Sequence, residues 1–148
     1  MGLDMYLQGR LYHHGMKHDS KGKYTGRKRE KVDGYEKTAT EIEIAYWRKH
    51  PNLHGYIVKT FNNGEDDCTP IDLSPENLDQ IANAIEKNEL PETTGFFFGE
   101  SSWHEEEKEK NVEIFRKASK WLRSKWDGEN KYATGQKDWV SVQYLASW

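Results

Sequence analysis

The stretch EIEIAYWRKHPNLHGYIVKTF, residues 41–61, changes its hydrophobic period halfway. Ile42, Ile44 and Tyr46 alternate with Glu41, Glu43 and Ala45, the two-residue period of a half-buried strand. From Lys49 onward Leu53, Tyr56, Ile57 and Phe61 fall on one face at helical spacing, and Pro51 suits a first turn. A strand running directly into a helix is expected, with Asn62, Asn63 and Gly64 as its stop.

Working outward, Leu3, Met5 and Leu7 alternate with Asp4, Tyr6 and Gln8, a second strand expected to pair with the first through the intervening loop. Downstream, Ile71 to Leu73 reads as a short strand. Ser74-Pro75 is a strong helix start, serine as N-cap and proline at the first helical position, and Leu78, Ile81, Ala82 and Ile85 follow at helical spacing until Pro91 marks the exit. Phe96, Phe97 and Phe98 between Gly95 and Gly99 read as another short strand. Ser102 to Glu105 has the pattern of a capping box, and Val112, Phe115, Ser119, Leu122 and Trp126 form the seam of a helix ending near Asp127-Gly128. Val140, Val142, Tyr144, Ala146 and Trp148 alternate as a final strand. The expected class is α+β: a single domain, residues 1–148, with a mixed or mostly antiparallel sheet of 4–5 strands packed with three helices.

Length agrees with that count. The chain has 148 residues, enough for one domain with a core that needs no metal or disulfide. Charged residues reach 32%, while 19 aromatics argue against disorder. No apolar run approaches a membrane span, so no membrane partner is expected. The opening MGLDMYLQGR lacks a basic and then apolar leader, and Tyr6 disfavours myristoylation of Gly2. A cytoplasmic location is the expectation. Cys68 is the one cysteine, which excludes an intramolecular disulfide and a multi-cysteine zinc site.

Charge is uneven. Residues 17–31 hold seven Lys/Arg against two acids, leaving −8 for the remainder. With Gly22, Gly26 and no apolar period, residues 15–38 read as a mobile basic loop. Its Lys21, Lys23, Tyr24, Arg27, Lys28 and Arg29 mix cations with an aromatic, a composition that suits contact with a macromolecule: phosphates and a single-stranded base, or an acidic protein. A solvated loop is the bland alternative.

Several motifs together resemble a family of short, largely uncharacterised bacteriophage and bacterial proteins. They are the MGLDMYL opening, AYWRK at 45–49 followed by His54, GEDDC at 64–68, GFFFG at 95–99 and a terminal ASW. The family pattern ends in Ser-Ser-Trp where this chain has Ala146-Ser147-Trp148, and the Lys/Arg loop is enlarged here. The resemblance implies a phage-type accessory protein, in the host cell cytoplasm if phage-encoded. It brings no established chemistry, so the residues must supply it.

Trp47, Arg48, Lys49 and His54 straddle the strand-to-helix junction. A helix N-terminus favours an anion, an Arg fork binds phosphate in bidentate fashion, and an aromatic stacks a base. The expected ligand is therefore small and anionic, a nucleotide or nucleotide-derived signal. Trp47 would stack, Arg48 and Lys49 would hold phosphate and His54 would hydrogen-bond, with Phe98 and Trp103 as an aromatic wall. Sequestering such a ligand would blunt a host defence. Against this stand ordinary roles: Trp47 packed under a loop, Arg48 paired with an acid, the phenylalanines in the core. No P-loop, GxSxG, HExxH or GxGxxG occurs, so no catalytic residue, metal or cofactor is assigned and binding is favoured over turnover. Alternatives remain open: an inhibitor of a host protein or nucleic-acid complex acting through the loop or an aromatic patch, a nucleic-acid binder, or a small phosphodiesterase using His54. Tryptophans near the C-terminus make a homodimer reasonable.

Overall fold

The computed structural model describes residues 2–13, 15–91, 105–126 and 139–148. Four strands form one antiparallel sheet: β1 (Asp4–Tyr12), β6 (Ala39–Arg48), β7 (Ile71–Leu73) and β8 (Trp139–Ser147), in the order β6-β1-β8-β7. Three helices accompany them: α1 (Pro51–Phe61), α2 (Pro75–Glu86) and α3 (Glu105–Trp126). The fold is α+β, as the periodicities predict. The predicted Phe96–Phe98 strand and the Ser102 cap lie outside the described residues.

β1 is a central strand because both neighbours need it. Its Met5 and Leu7 point to the same side as Ala45 and Trp47 of β6 and as Val142, Tyr144 and Ala146 of β8, in register. Leu53 and Ile57 from α1, Leu78, Ile81 and Ile85 from α2, and Phe115, Ala118 and Leu122 from α3 complete one core on that face. Ser74 caps α2 as expected, its hydroxyl accepting from the Asn77 N–H at 3.1 Å with Pro75 at the first turn.

The strand β6 differs from its simple alternation. Leu7 pairs with Ala45 but Gln8 pairs with Glu43, so Ile44 is the extra residue of a β-bulge. One inserted residue reverses the phase of all that follows. Ala45 and Trp47 therefore face the core, and Tyr46, expected inside, is 46% exposed. Ile42 is likewise exposed at the sheet edge. The indole of Trp47 lies parallel to Phe115 (5.5 Å between centroids, 6° between planes) and donates to Asn111 Oδ1 at 2.9 Å.

Residues 15–38 are not an irregular loop. They form two short hairpins, β2 (Met16–His18) with β3 (Tyr24–Arg27) and β4 (Lys31–Val32) with β5 (Tyr35–Glu36). β3, β4 and β5, two to four residues long and largely exposed, carry no hydrophobic alternation, which is why the sequence shows none there.

Gly9 sits beneath α3. A Cβ there would lie 3.0 Å from the Trp121 ring. Gly9→Val should therefore overpack the α3–sheet contact and lower stability by about 1–3 kcal/mol in urea unfolding, without changing the helix content seen by circular dichroism.

Candidate functional site

The strand-to-helix junction is built by three backbone facts. β6 ends at Arg48, Lys49 turns the chain with φ +55°, and its N–H donates to Leu3 O at 2.8 Å. Gly2 lies against this turn, where a Cβ would meet Lys49 Cε at 3.2 Å and the Arg48 guanidinium at 3.7 Å. His50 then caps α1, its Nδ1 accepting from the Leu53 N–H at 3.4 Å. Pro51 has no N–H to give. The first turn of α1 is thus largely satisfied from within, and the anion-favouring amides expected there are not what the junction offers.

It offers side chains instead. A cleft of about 440 Å3 opens between the end of β6 and the start of α3, lined on one side by Tyr46, Trp47, Arg48, Lys49 and His50 and on the other by Glu107, Lys110 and Asn111. Arg48, Lys49 and Lys110 form no ion pair among the described residues. Arg10, Arg29, Arg116 and Arg123 all do, with Glu41, Glu36, Glu86, and Glu76 and Asp79 respectively. Asp4 is opposite Arg48 in the ladder, but its carboxylate accepts from the Tyr46 hydroxyl at 2.6 Å. That bond holds the Tyr46 pKa above its ordinary value. Among the described residues that line it, three cations stand against the carboxylate of Glu107.

His50 is nearly buried, and its pKa is lowered to about 4, chiefly because burial disfavours the charged ring, with Glu107 acting in the opposite direction. At neutral pH it is an uncharged imidazole whose Nδ1 accepts, so Nε2 carries the proton.

Trp47 borders the cleft but is committed to the core. Phe115 covers one face and Asn111 holds its N–H, so it forms a wall and is not free to stack a ligand. Tyr46 is the exposed ring at this site. His54 is not part of it. It is buried on α1, where Nε2 meets Asp66 Oδ1 at 2.9 Å and Nδ1 meets the Tyr144 hydroxyl at 2.6 Å, with the Trp148 ring edge-on at 5.6 Å. The Asp66 carboxylate only accepts, which places a proton on Nε2 and lets Nδ1 accept from Tyr144. Burial, then the charge of Asp66, pushes the Tyr144 pKa well above its usual value. The space beside this chain, bordered by Cys68 and Thr69, is about 10 Å3, room for no more than a water. These bonds pin the 62–69 loop to the core, and His54 is not among the residues that line the β6–α3 cleft with Arg48 and Lys49.

Phe98 and Trp103 lie outside the described residues. Lys21, Lys23, Tyr24, Arg27 and Lys28 are exposed on the hairpins, away from the lining of the cleft. Arg29 differs from them: its Nε donates to His13 O at 2.7 Å and Nη1 to Glu36 at 3.0 Å, an internal brace. The contributions of Lys110, Glu107 and Asn111 had no sequence signal, since they arrive from a helix remote in the chain. Among the described residues, no three His, Cys, Asp or Glu side chains converge as metal ligands, and no helix is long and apolar enough to cross a membrane. No family model, curated protein or solved structure matches the chain.

Two outcomes follow for stability. Tyr144→Phe leaves the buried Nδ1 of His54 without its donor and should cost about 1–3 kcal/mol by urea unfolding. His50 takes up a proton near pH 6.5 when unfolded but only near 4 when folded. The unfolded state therefore binds more protons between these values. This contribution is complete above about pH 6.5 and is lost as pH falls towards 4, by up to roughly 3 kcal/mol. His50→Asn, which keeps a capping side chain, should flatten that part of a stability-versus-pH curve.

Proposed function

We propose that the protein binds a small phosphate-bearing anion, of nucleotide size, in the cleft between β6 and α3. The observation that carries this is the trio Arg48, Lys49 and Lys110 around about 440 Å3, without an ion-pair partner among the described residues. The volume lies in the range of small-ligand sites. Arg48 supplies a planar fork for two phosphate oxygens, and Lys49 and Lys110 supply point charges from opposite walls. Tyr46 takes the stacking role that the sequence suggests for Trp47. The neutral His50 adds polarity without charge, and Glu107 disfavours ligands that extend their negative charge along α3. Among the described residues, the His50 that lines the cleft is held neutral and already spends Nδ1 on the Leu53 N–H, which fits retention better than turnover. A phage-type accessory protein that sequesters a nucleotide signal is the role this chemistry fits.

Native mass spectrometry with a panel of mono-, di- and cyclic nucleotides tests the reading. A discrete adduct is expected, weakened at least tenfold in Arg48→Ala, because a charge-assisted hydrogen bond contributes about 1.5–3 kcal/mol. The Tm of that variant should stay nearly constant, since Arg48 is exposed and pairs with no described acid. Adducts that survive both Arg48→Ala and Lys110→Ala would contradict the assignment.

A further inference from the structure

The two hairpins between β1 and β6 form a braced tongue. At its root the His13 N–H donates to Thr38 O at 2.9 Å, and the His13 ring meets Thr40 Oγ1 at 2.7 Å. Further out, Arg29 ties His13 O to Glu36, the Lys28 N–H donates to Gly15 O at 2.8 Å, and the Lys37 N–H donates to Glu30 O at 2.8 Å. Gly15, at φ +67°, lies so close to the second hairpin that a Cβ would stand 2.6 Å from the Lys28 carbonyl oxygen. Only glycine allows that approach.

The outer surface of this tongue is unbalanced. Residues 17–37 contain eight Lys/Arg and four Asp/Glu, leaving −7 for the rest of the chain. The acids are largely spent within the tongue: Glu36 on Arg29, Glu30 on Lys37, and Asp19 on the backbone N–H groups of Lys21 and Lys23. Lys21, Lys23, Arg27, Lys28 and Lys31 have no ion-pair partner among the described residues. Five large hydrophobic side chains are exposed among the described residues, and three are here: Tyr24 (57%), Val32 (52%) and Tyr35 (79%). The tongue thus joins exposed cations with two exposed tyrosine rings in one segment of the chain.

We infer that the tongue is a binding surface for single-stranded nucleic acid. Lys21, Lys23, Arg27, Lys28 and Lys31 contact backbone phosphates, and Tyr24 and Tyr35 stack on bases. A duplex hides its base faces from such rings, and an acidic peptide would use the charges while leaving the tyrosines idle. The tongue is independent of the β6–α3 cleft, so either assignment can fail without the other.

Fluorescence anisotropy of the full chain with labelled dT12 and rU12 tests this, and binding of either strand supports it. Four or five neutralised phosphates predict a log K against log salt slope of about −3, at roughly −0.7 per phosphate. Lys21→Glu with Lys28→Glu should weaken binding at least tenfold. Tyr35→Ala should weaken it about fivefold or more, the loss of one stacked base. Lys59→Ala, which removes an exposed cation on α1 outside the tongue and the cleft lining, should leave it unchanged. The proposal is overturned by absence of binding at 50 mM salt, by a Tyr35→Ala variant of full affinity, or by equal affinity for a poly-glutamate peptide.

Discussion

The parallel contact between Trp47 and Phe115 joins the edge of the sheet to α3, and the geometry of the cleft depends on it. It exists because one extra residue at Ile44 turns Trp47 inward. The buried indole N–H would be costly without a partner, and Asn111, one α-helical turn before Phe115, supplies it. Stack and hydrogen bond together fix the rotation of α3 against β6. Lys110, the neighbour of Asn111, and Arg48, the neighbour of Trp47, both line the cleft.

A second polar device is centred on His54, in the first turn of α1. Asp66, His54 and Tyr144 form a chain that fastens the loop after α1 to the middle of the sheet. Both devices bury a hydrogen-bonded polar group inside an aliphatic core, which constrains orientation more than it adds stability. Both also use residues whose composition suggests chemistry. Trp47 and His54 are both spent on architecture, Trp47 on Phe115 and Asn111 and His54 on Asp66 and Tyr144.

Much of the fold was legible in the sequence because local signals and burial agree. Ser74-Pro75 begins a helix in both, and the alternation from Val140 to Ala146 is the buried face of β8. The phase of β6 was not legible, since a bulge is a property of two paired strands and Ile42-Glu-Ile reads as regular alternation. The hairpin strands β3, β4 and β5 were hidden because their largely exposed residues carry no such period. At the site, Arg48 and Lys49 could be singled out from their place at a strand-to-helix junction. The partners of Trp47 and His54 could not be: Asn111 is 64 residues from Trp47, and Tyr144 is 90 residues from His54. Which face a long charged helix turns toward a sheet edge is decided by packing, and α3 carries charges on several faces.

The most direct measurement is a 15N NMR titration of the protein with ADP and, separately, with inorganic pyrophosphate. The account predicts saturating shifts of the Arg48, Lys49, His50 and Lys110 amides and of the Trp47 indole N–H, with the nucleotide also shifting Tyr46. Shifts absent from these residues, or confined to the hairpins at residues 15–38, would contradict a phosphate site in the β6–α3 cleft.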